Sequence, residues 1–150
     1  MKQRYEYTGG SIRLDKEGRW FHEGVEITHR LTLDLFNRSI KRHPDGGYCL
    51  EVGYECAKIE VEDTPYMVKQ VDLNDGGAII RVSDGSEESL DPSTLRIGAE
   101  NVLYCEVKGG FPARFLRPAY YQLMQGLRET GDGYAVEVGG RWWKLSQAEE

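Results

Sequence analysis

The chain has 150 residues, with 25 acidic and 19 basic side chains and a net charge of −6 at pH 7. Hydrophobic residues make up 39% and charged residues 29%, proportions that are typical of a folded domain and exclude a disordered chain. The length predicts a single domain over residues 1–150. No apolar run is long enough to span a bilayer, and the acidic balance disfavours contact with phosphate backbones. We therefore expect neither a membrane nor a nucleic-acid partner.

Most of the chain predicts short β-strands separated by glycine-containing turns. The turn sequence at residues 15–18 predicts a hairpin between the first two strands, and residues 83–89 are polar enough to predict an exposed loop. Ile59 alternates with Glu60 and Glu62, which is typical of a half-buried strand. The predicted strands lie at residues 12–14, 19–22, 48–52, 58–62, 66–73, 78–83, 95–97, 102–107, 134–138 and 141–145.

Two segments predict helices, at about residues 28–42 and 117–129. In each segment apolar residues recur at spacings of three and four, which places them on one face of a helix. Thr28 or Thr32 is suited to begin the first helix, and Gly131 is suited to end the second. The predicted apolar faces consist of Leu33, Phe36 and Ile40 in the first helix, and of Leu116, Tyr120, Leu123 and Leu127 in the second.

The two helical segments and the strands that follow them align with each other when Asp45 is set on Asp132. The alignment matches Leu33, Phe36 and Ile40 with Tyr120, Leu123 and Leu127, and after one glycine is skipped it matches Tyr48 with Tyr134. We interpret this as an internal duplication of a strand–helix–strand unit. The related halves are predicted at residues 12–56 and 102–145, with a β-rich insert at 57–101. The predicted fold class is α+β, with mostly antiparallel curved sheets and two helices.

The three cysteines are Cys49, Cys56 and Cys105, an odd number with no Cys-x-x-Cys pair, so no zinc or redox motif is predicted. Cys105 alternates with Leu103 and Val107 and is expected to be buried. The first residues contain no apolar run of the kind found in secretory signals, and we therefore expect a cytoplasmic protein.

Several stretches of the chain resemble a family of uncharacterised bacterial proteins, catalogued as the domain of unknown function with the number twelve eighty-five. The resemblance runs from about Gly10 to Leu145. It implies an α+β fold and a bacterial source, and it supplies no activity, cofactor or catalytic residue. The stretches that carry it are residues 12–24, Leu35-Phe36, residues 45–48, residues 59–66, Gly109-Gly110 and residues 117–121, of which Val61–Pro65 and Arg117–Tyr121 are the most specific.

Five residues are candidates for ligand binding: His22, Arg30, Asp63, Tyr66 and Arg117. Arg30 and Arg117 occupy equivalent helix starts, where the helix dipole disfavours a cation, so each requires a partner. That partner is a strand carboxylate or a carbonyl, and an ion pair with a carboxylate would lock helix to sheet; the alternative is an anion held between the two arginines. Asp63 could anchor a polar ligand beside Tyr66, and His22 could serve the same site. The chain lacks the common catalytic, nucleotide-binding and metal-binding motifs, so no catalytic residue, metal ligand or cofactor is assigned.

Two aromatic pairs, Trp20-Phe21 and Trp142-Trp143, fall in predicted strands, where alternation sends one member inward and the other outward. An outward tryptophan is a typical interface anchor, which makes a homodimer plausible.

Three hypotheses for the function follow from these residues. The first is a non-enzymatic binding or interaction module of the bacterial cytoplasm. The alternative is a domain that binds a small, anionic molecule in a cleft between the two halves. The weakest is a hydrolase-like enzyme that uses His22 with a nearby carboxylate.

Overall fold

The computed structural model describes residues 11–53 and 55–147, which form two helices, sixteen strands and two short 3₁₀ turns. The helices are α1 (Arg30–Arg38) and α2 (Arg117–Met124), and the 3₁₀ turns are Pro92–Thr94 and Ala99–Asn101. The strands are β1 (Ile12–Leu14), β2 (Trp20–His22), β3 (Val25–Glu26), β4 (Ile40–Arg42), β5 (Tyr48–Val52), β6 (Glu55–Val61), β7 (Tyr66–Asn74), β8 (Gly77–Val82), β9 (Glu87–Ser89), β10 (Arg96–Ile97), β11 (Leu103–Val107), β12 (Phe111–Phe115), β13 (Leu127–Thr130), β14 (Gly133–Val138), β15 (Arg141–Lys144) and β16 (Ser146–Gln147).

The chain divides after Pro65 into two compact units. The first unit holds a six-stranded sheet in the order β3-β2-β1-β6-β5-β4. The second holds a seven-stranded sheet, β16-β10-β11-β12-β7-β8-β9, and a three-stranded sheet, β13-β14-β15. Neighbouring strands are antiparallel except in the pairs β1–β6, β7–β12 and β10–β16. The predicted α+β class, with mostly antiparallel sheets and two helices, is confirmed, while the limits of the single domain and of the two halves stay predictions.

The predicted hairpin at residues 15–18 is confirmed and depends on the carboxylate of Asp15. Its Oδ1 accepts hydrogen bonds from the backbone N–H groups of Glu17 at 2.9 Å and Arg19 at 2.8 Å, and its Oδ2 accepts one from Arg19 Nε at 3.0 Å. Burial raises the pKa of the Asp15 carboxyl, but these hydrogen bonds and the Arg19 charge outweigh burial and hold the pKa below its usual value. Asp15 therefore fixes the β1–β2 turn in its ionised form.

The core of the first unit forms where α1 packs on the β1–β2 hairpin. Trp20 and Phe36 are both buried and meet edge to face, with ring centroids 5.4 Å apart. The indole N–H of Trp20 donates to Asn37 Oδ1 at 2.8 Å, so its polar atom is satisfied inside the core. Phe36 thus faces inward, as its place in the predicted apolar face requires.

The core of the second unit lies against β7, β8, β11 and β12. Cys105 is buried there, which confirms its prediction. Burial, helped by the negative charge of Glu88, raises the pKa of the Cys105 thiol to about 12, so this thiol is inert. The most deeply buried side chains of the unit include Met67, Val68, Ile80, Val82, Leu95, Leu103, Val107 and Leu123.

Both helices are shorter than predicted. Ile40 and Leu127, predicted as the last members of the helical faces, are instead the first residues of β4 and β13. The helix start is also different, because His29 Nδ1, not a threonine hydroxyl, accepts a hydrogen bond from the Thr32 backbone N–H at 3.3 Å. Gly131 does not end a helix, since it lies in the turn between β13 and β14. Ile40 and Leu127 adopt strand structure because β4 pairs with β5 and β13 pairs with β14, although their spacing in the sequence also fits a helix.

The predicted loop at residues 83–89 is a loop only in part. Residues Glu87–Ser89 form β9, which pairs with β8. The side chain of Asp84 in the preceding turn is largely buried, because it pairs with Lys108 at 2.7 Å.

The helix, the hairpin and the third strand that follow one another in each unit have the same hydrogen-bond pattern. We call α1-β4-β5-β6 the first copy and α2-β13-β14-β15 the second copy. When the two copies are aligned as in the sequence, cross-strand pairs of β13–β14 and β14–β15 join the same aligned positions as pairs of β4–β5 and β5–β6. Seven pairs match, among them Ile40–Leu50 with Leu127–Val136, Cys49–Lys58 with Ala135–Lys144, Glu51–Cys56 with Glu137–Trp142, and Val52–Glu55 with Val138–Arg141.

Hydrogen bonds outside the ladders recur as well. In the first copy the Glu51 N–H donates to Ser39 O at 2.8 Å, and in the second the Glu137 N–H donates to Gly126 O at 3.1 Å. Gly126 meets strand β14 so closely that an ideal Cβ there would lie 3.2 Å from Glu137 O. This explains a glycine at that position and supports the interpretation of an internal duplication.

Candidate functional site

Of the five predicted ligand residues, His22, Arg30 and Asp63 lie in the first unit. His22 is exposed on β2 and pairs with Ile12 at the beginning of β1. Asp63 follows Glu62, whose backbone N–H donates to Leu14 O at the other end of β1, at 2.9 Å. His22 and Asp63 therefore lie toward opposite ends of β1, and their assignment to one ligand site stays a prediction.

Arg30 and Arg117 begin α1 and α2, the equivalent positions that the sequence predicted. The Arg30 side chain is 85% exposed and pairs with Asp34 of its own helix at 3.7 Å. The Arg117 Nη1 donates to the Tyr121 hydroxyl at 3.3 Å, and its Cζ lies 6.0 Å from the centre of that ring. The expectation that Arg30 forms a buried ion pair from helix to sheet is wrong, because its side chain is exposed and its acidic partner Asp34 lies one turn along the same helix.

Tyr66 is buried in the second unit, where its ring meets Phe111 edge to face at 5.3 Å. The Lys108 Nζ lies 5.8 Å from the centre of the Tyr66 ring and pairs with Asp84 Oδ2 at 2.7 Å. Burial raises the pKa of the Asp84 carboxyl, but hydrogen bonds from Lys108 and Ser86 outweigh burial and lower it. These contacts give Tyr66 a packing role, and its assignment to a ligand site stays a prediction.

The three-stranded sheet of the second copy carries an exposed tryptophan, Trp142 on β15. It is 46% exposed, and the Arg128 guanidinium lies over its ring, 4.6 Å from the centroid. Arg128 and Lys144 both pair with Ala135 of the central strand. Directly opposed residues share a face of a sheet, so Arg128, Ala135 and Lys144 form one row, with Glu137 and Trp142 in the next row on the same side. We call this side of β13–β15 the Trp142 face.

The sequence predicted an outward tryptophan but missed Arg128, because residues 117–129 were assigned to a helix. The opposite face of the same sheet carries a second stack, in which the Arg141 Cζ lies 4.9 Å from the centre of the Trp143 ring. Two arginine–tryptophan stacks thus lie back to back on one small sheet.

The first copy has a related arrangement on its equivalent face. Lys41 and Lys58 both pair with Cys49 on the central strand β5, so a small side chain again lies between two cations. Cys56 takes the position of Trp142, and Glu51 the position of Glu137. We call this side of β4–β6 the cysteine face.

Cys49 and Cys56 are joined by a disulfide, with their Cα atoms 5.3 Å apart. Sequence reasoning missed this pair because the cysteines are seven positions apart, which matches no familiar motif. Only the register of β5 against β6 makes them diagonal neighbours on the cysteine face.

Other features of the described residues bear on what the chain can do. Within residues 11–53 and 55–147, no group of three or more His, Cys, Asp or Glu side chains could hold a metal ion. No helix in this part of the chain is long and apolar enough to cross a membrane.

A cavity of about 400 Å³ in the second unit is lined by Leu73, Asn74, Asp75, Gln125, Gly126, Glu137, Gly139 and Gly140.

Comparisons with known proteins connect this architecture to one family. Residues 6–64 match the family described as the domain of unknown function DUF1285, N-terminal domain. The fold is similar to that of a DUF1285 family protein from Silicibacter pomeroyi DSS-3, with a TM-score of 0.73 and 19% identity over 91% of this chain and 79% of that one. It is also similar to a DUF1285 family protein from Shewanella baltica OS155, with a TM-score of 0.62 and 18% identity over 78% of this chain and 92% of that one.

No curated protein matches the chain. The family match over residues 6–64 and the two structural similarities agree with the resemblance to the DUF1285 family seen in the sequence.

Proposed function

We propose that this protein is a non-enzymatic binding module of the bacterial cytoplasm and that its Trp142 face contacts an acidic segment of a partner protein. The observation that carries the proposal is the exposed Trp142 ring with Arg128 stacked on it. Tryptophan and arginine are the side chains that most often dominate binding energy at protein interfaces. Stacking also holds both side chains in place before binding, which lowers the entropy lost on association.

The charges of the Trp142 face favour an acidic partner. Arg128 and Lys144 flank the row, and Glu137 is the acidic member of the face. Lys144 already pairs with Asp132 at the sheet end, so Arg128 is the cation best placed to meet a carboxylate. The chain as a whole has a net charge of −6, and Arg128 gives the Trp142 face a cation that complements a carboxylate of a partner.

The test uses hexaglutamate as the acidic probe, with hexaglutamine and hexalysine as controls, and follows binding by two-dimensional NMR titration. We expect saturable shifts around Trp142 with hexaglutamate, weaker at high salt. Trp142→Ala and Arg128→Gln should each weaken binding by about tenfold, the loss of a typical interface anchor. Arg141→Gln is the matched control, because it removes an arginine stacked on Trp143 of the opposite face.

Equal loss in Arg128→Gln and Arg141→Gln, or equal binding of hexaglutamate and hexaglutamine, would contradict the proposal. Light scattering on the same samples measures the homodimer expected from the sequence. A dimer that Trp142→Ala converts to the 17.1 kDa monomer would assign the Trp142 face to a second copy of the chain in place of an acidic partner.

A second candidate function is the binding of a small, anionic molecule. It is favoured by the Arg117 guanidinium, which Tyr121 holds in place at the exposed start of α2. Inorganic phosphate and citrate are the probes, and thermal stabilisation is the measurement. We expect the stabilisation to be lost when Arg30→Ala and Arg117→Ala are combined, and stabilisation that survives both changes would exclude these arginines from an anion site.

A further inference from the structure

We propose that Cys49 and Cys56 form a reversible thiol–disulfide pair that exchanges with small thiols of the glutathione class. Cys49 pairs with Lys58 across the β5–β6 ladder, and Cys56 pairs with Glu51, so the two cysteines are diagonal neighbours on one face. Their Cα separation of 5.3 Å lies within the range that a disulfide spans without moving the backbone. Breaking and remaking this bond therefore requires no rearrangement of the hairpin.

The two sulfur atoms have different surroundings. Cys56 is exposed, while Cys49 is buried between Lys41 and Lys58 in its cross-strand row. Attack on the exposed sulfur of Cys56 makes Cys49 the leaving group, and the two lysines in the cross-strand row of Cys49 offset part of the cost of forming a thiolate in a buried position. Cys56 is thus the sulfur that an incoming thiolate can reach, and Cys49 is the sulfur that leaves.

The exchange takes place in two balanced steps. A thiolate attacks Cys56 Sγ, a mixed disulfide forms, the Cys49–Cys56 bond breaks, and Cys49 Sγ keeps the electron pair as a thiolate. A second thiolate then attacks the outer sulfur of the mixed disulfide, which releases the oxidised small disulfide and leaves Cys56 as a thiolate. Each protein thiolate takes a proton from water according to its pKa. The protein disulfide gains two electrons, and the two small thiols lose them.

The fold does not depend on this cross-link. In the second copy Ala135 and Trp142 occupy the positions of Cys49 and Cys56, and the same strand pairs form without a covalent bond. The equivalent hairpin is therefore stable through its ladder and its packing alone. Reduction should leave the register of β5 and β6 intact and change the mobility and the chemistry of the cysteine face.

The test places the full chain in buffers with different ratios of reduced to oxidised glutathione, followed by trapping with iodoacetamide and mass measurement of the peptides. Cys49 and Cys56 should change together from disulfide to alkylated thiols as the ratio rises. Trapping is done in denaturant so that buried thiols also react, and Cys105, which forms no disulfide in the structure, is the internal control that should be alkylated at every ratio. A Cys49–Cys56 disulfide that forms at no ratio, or one that resists every ratio, would overturn the proposal.

Three variants test the assignment of roles in chains that fold. In Cys49→Ser, Cys56 should form a glutathione adduct readily, whereas in Cys56→Ser the buried Cys49 should react at least about tenfold more slowly. Lys41→Gln combined with Lys58→Gln should slow reduction of the disulfide by about threefold or more, because the leaving thiolate loses its cations. Equal adduct formation in the two cysteine variants would refute the assignment, as would an unchanged rate in the lysine variant.

Discussion

Replacement of Phe36 by alanine tests whether α1 packs inward as the structure has it. The Phe36 side chain is 1% exposed, and its ring contacts Trp20 edge to face at a centroid distance of 5.4 Å. A buried aromatic side chain removes about 200 Å² from water, which at about 25 cal/mol per Å² is worth about 5 kcal/mol as an upper limit. Phe36→Ala should therefore lower the free energy of unfolding by about 3–5 kcal/mol, in the range seen for buried aromatics.

Leu31→Ala is the matched control, because Leu31 is in the same helix and 71% exposed. It should cost less than about 1 kcal/mol, since a surface residue loses little packing. Urea unfolding, followed by circular dichroism, measures both changes. With a slope of about 1–3 kcal/mol per molar urea, Phe36→Ala should shift the midpoint by more than about 1 M. Equal midpoints for the two variants would refute the inward packing of α1.

Three further predictions concern other parts of the fold. Because the folded pKa of Asp15 is below the unfolded value of about 3.9, its stabilisation is complete above about pH 5 and is lost as the pH falls through the folded pKa. Between pH 6 and pH 3 the free energy of unfolding, measured with urea, should therefore fall more for the parent than for Asp15→Asn. Equal falls in the two proteins would contradict this role of Asp15. Leu123→Ala should lower the free energy of unfolding by about 2–5 kcal/mol and the exposed Tyr121→Ala by less than about 1 kcal/mol, and equal melting temperatures would contradict the burial of Leu123. Gly139 has φ +64° and an ideal Cβ 3.3 Å from Gly76 O, so Gly139→Ala should cost about 1–3 kcal/mol, and an unchanged melting temperature would show that this close approach does not exist.

Strands were predicted correctly where the local alternation of apolar and polar residues is enough to identify them. Residues 59–62 alternate between apolar and acidic, and they fall where expected on β6 or directly after it. The strand β12 was missed, because Pro112 interrupts its pattern and usually argues against a central strand. In the structure Pro112 pairs with Glu106 of β11. The pairing of β12 with β7 begins one residue later, where Ala113 pairs with Tyr66, so no residue of β7 requires the N–H that Pro112 lacks.

The ends of the helices could not be predicted from spacing alone. Ile40 and Leu127 stand four residues after Phe36 and Leu123, which fits a helical face as well as it fits a new strand. The choice depends on pairing with β5 and β14, which lie later in the chain and supply hydrogen bonds that local sequence does not reveal.

The candidate sites, like the ends of the helices, depend on strand pairing that local sequence does not reveal. Arg128 joined the site only once its segment proved to be a strand, since a strand places it on the same face as Trp142. Cys49 and Cys56 became a pair only once the β5–β6 register was known. The alignment of the two halves, in contrast, was visible in the sequence because it needs only the order of residue types.

The duplicated hydrogen-bond pattern is tested most directly by NMR scalar couplings across hydrogen bonds. The structure predicts a coupling between the Glu51 amide nitrogen and the Ser39 carbonyl carbon, and an equivalent coupling between Glu137 and Gly126. Detection of both couplings would establish that each helix meets its hairpin in the same manner. A coupling from Glu51 or Glu137 to any other carbonyl would contradict the common pattern of the two copies.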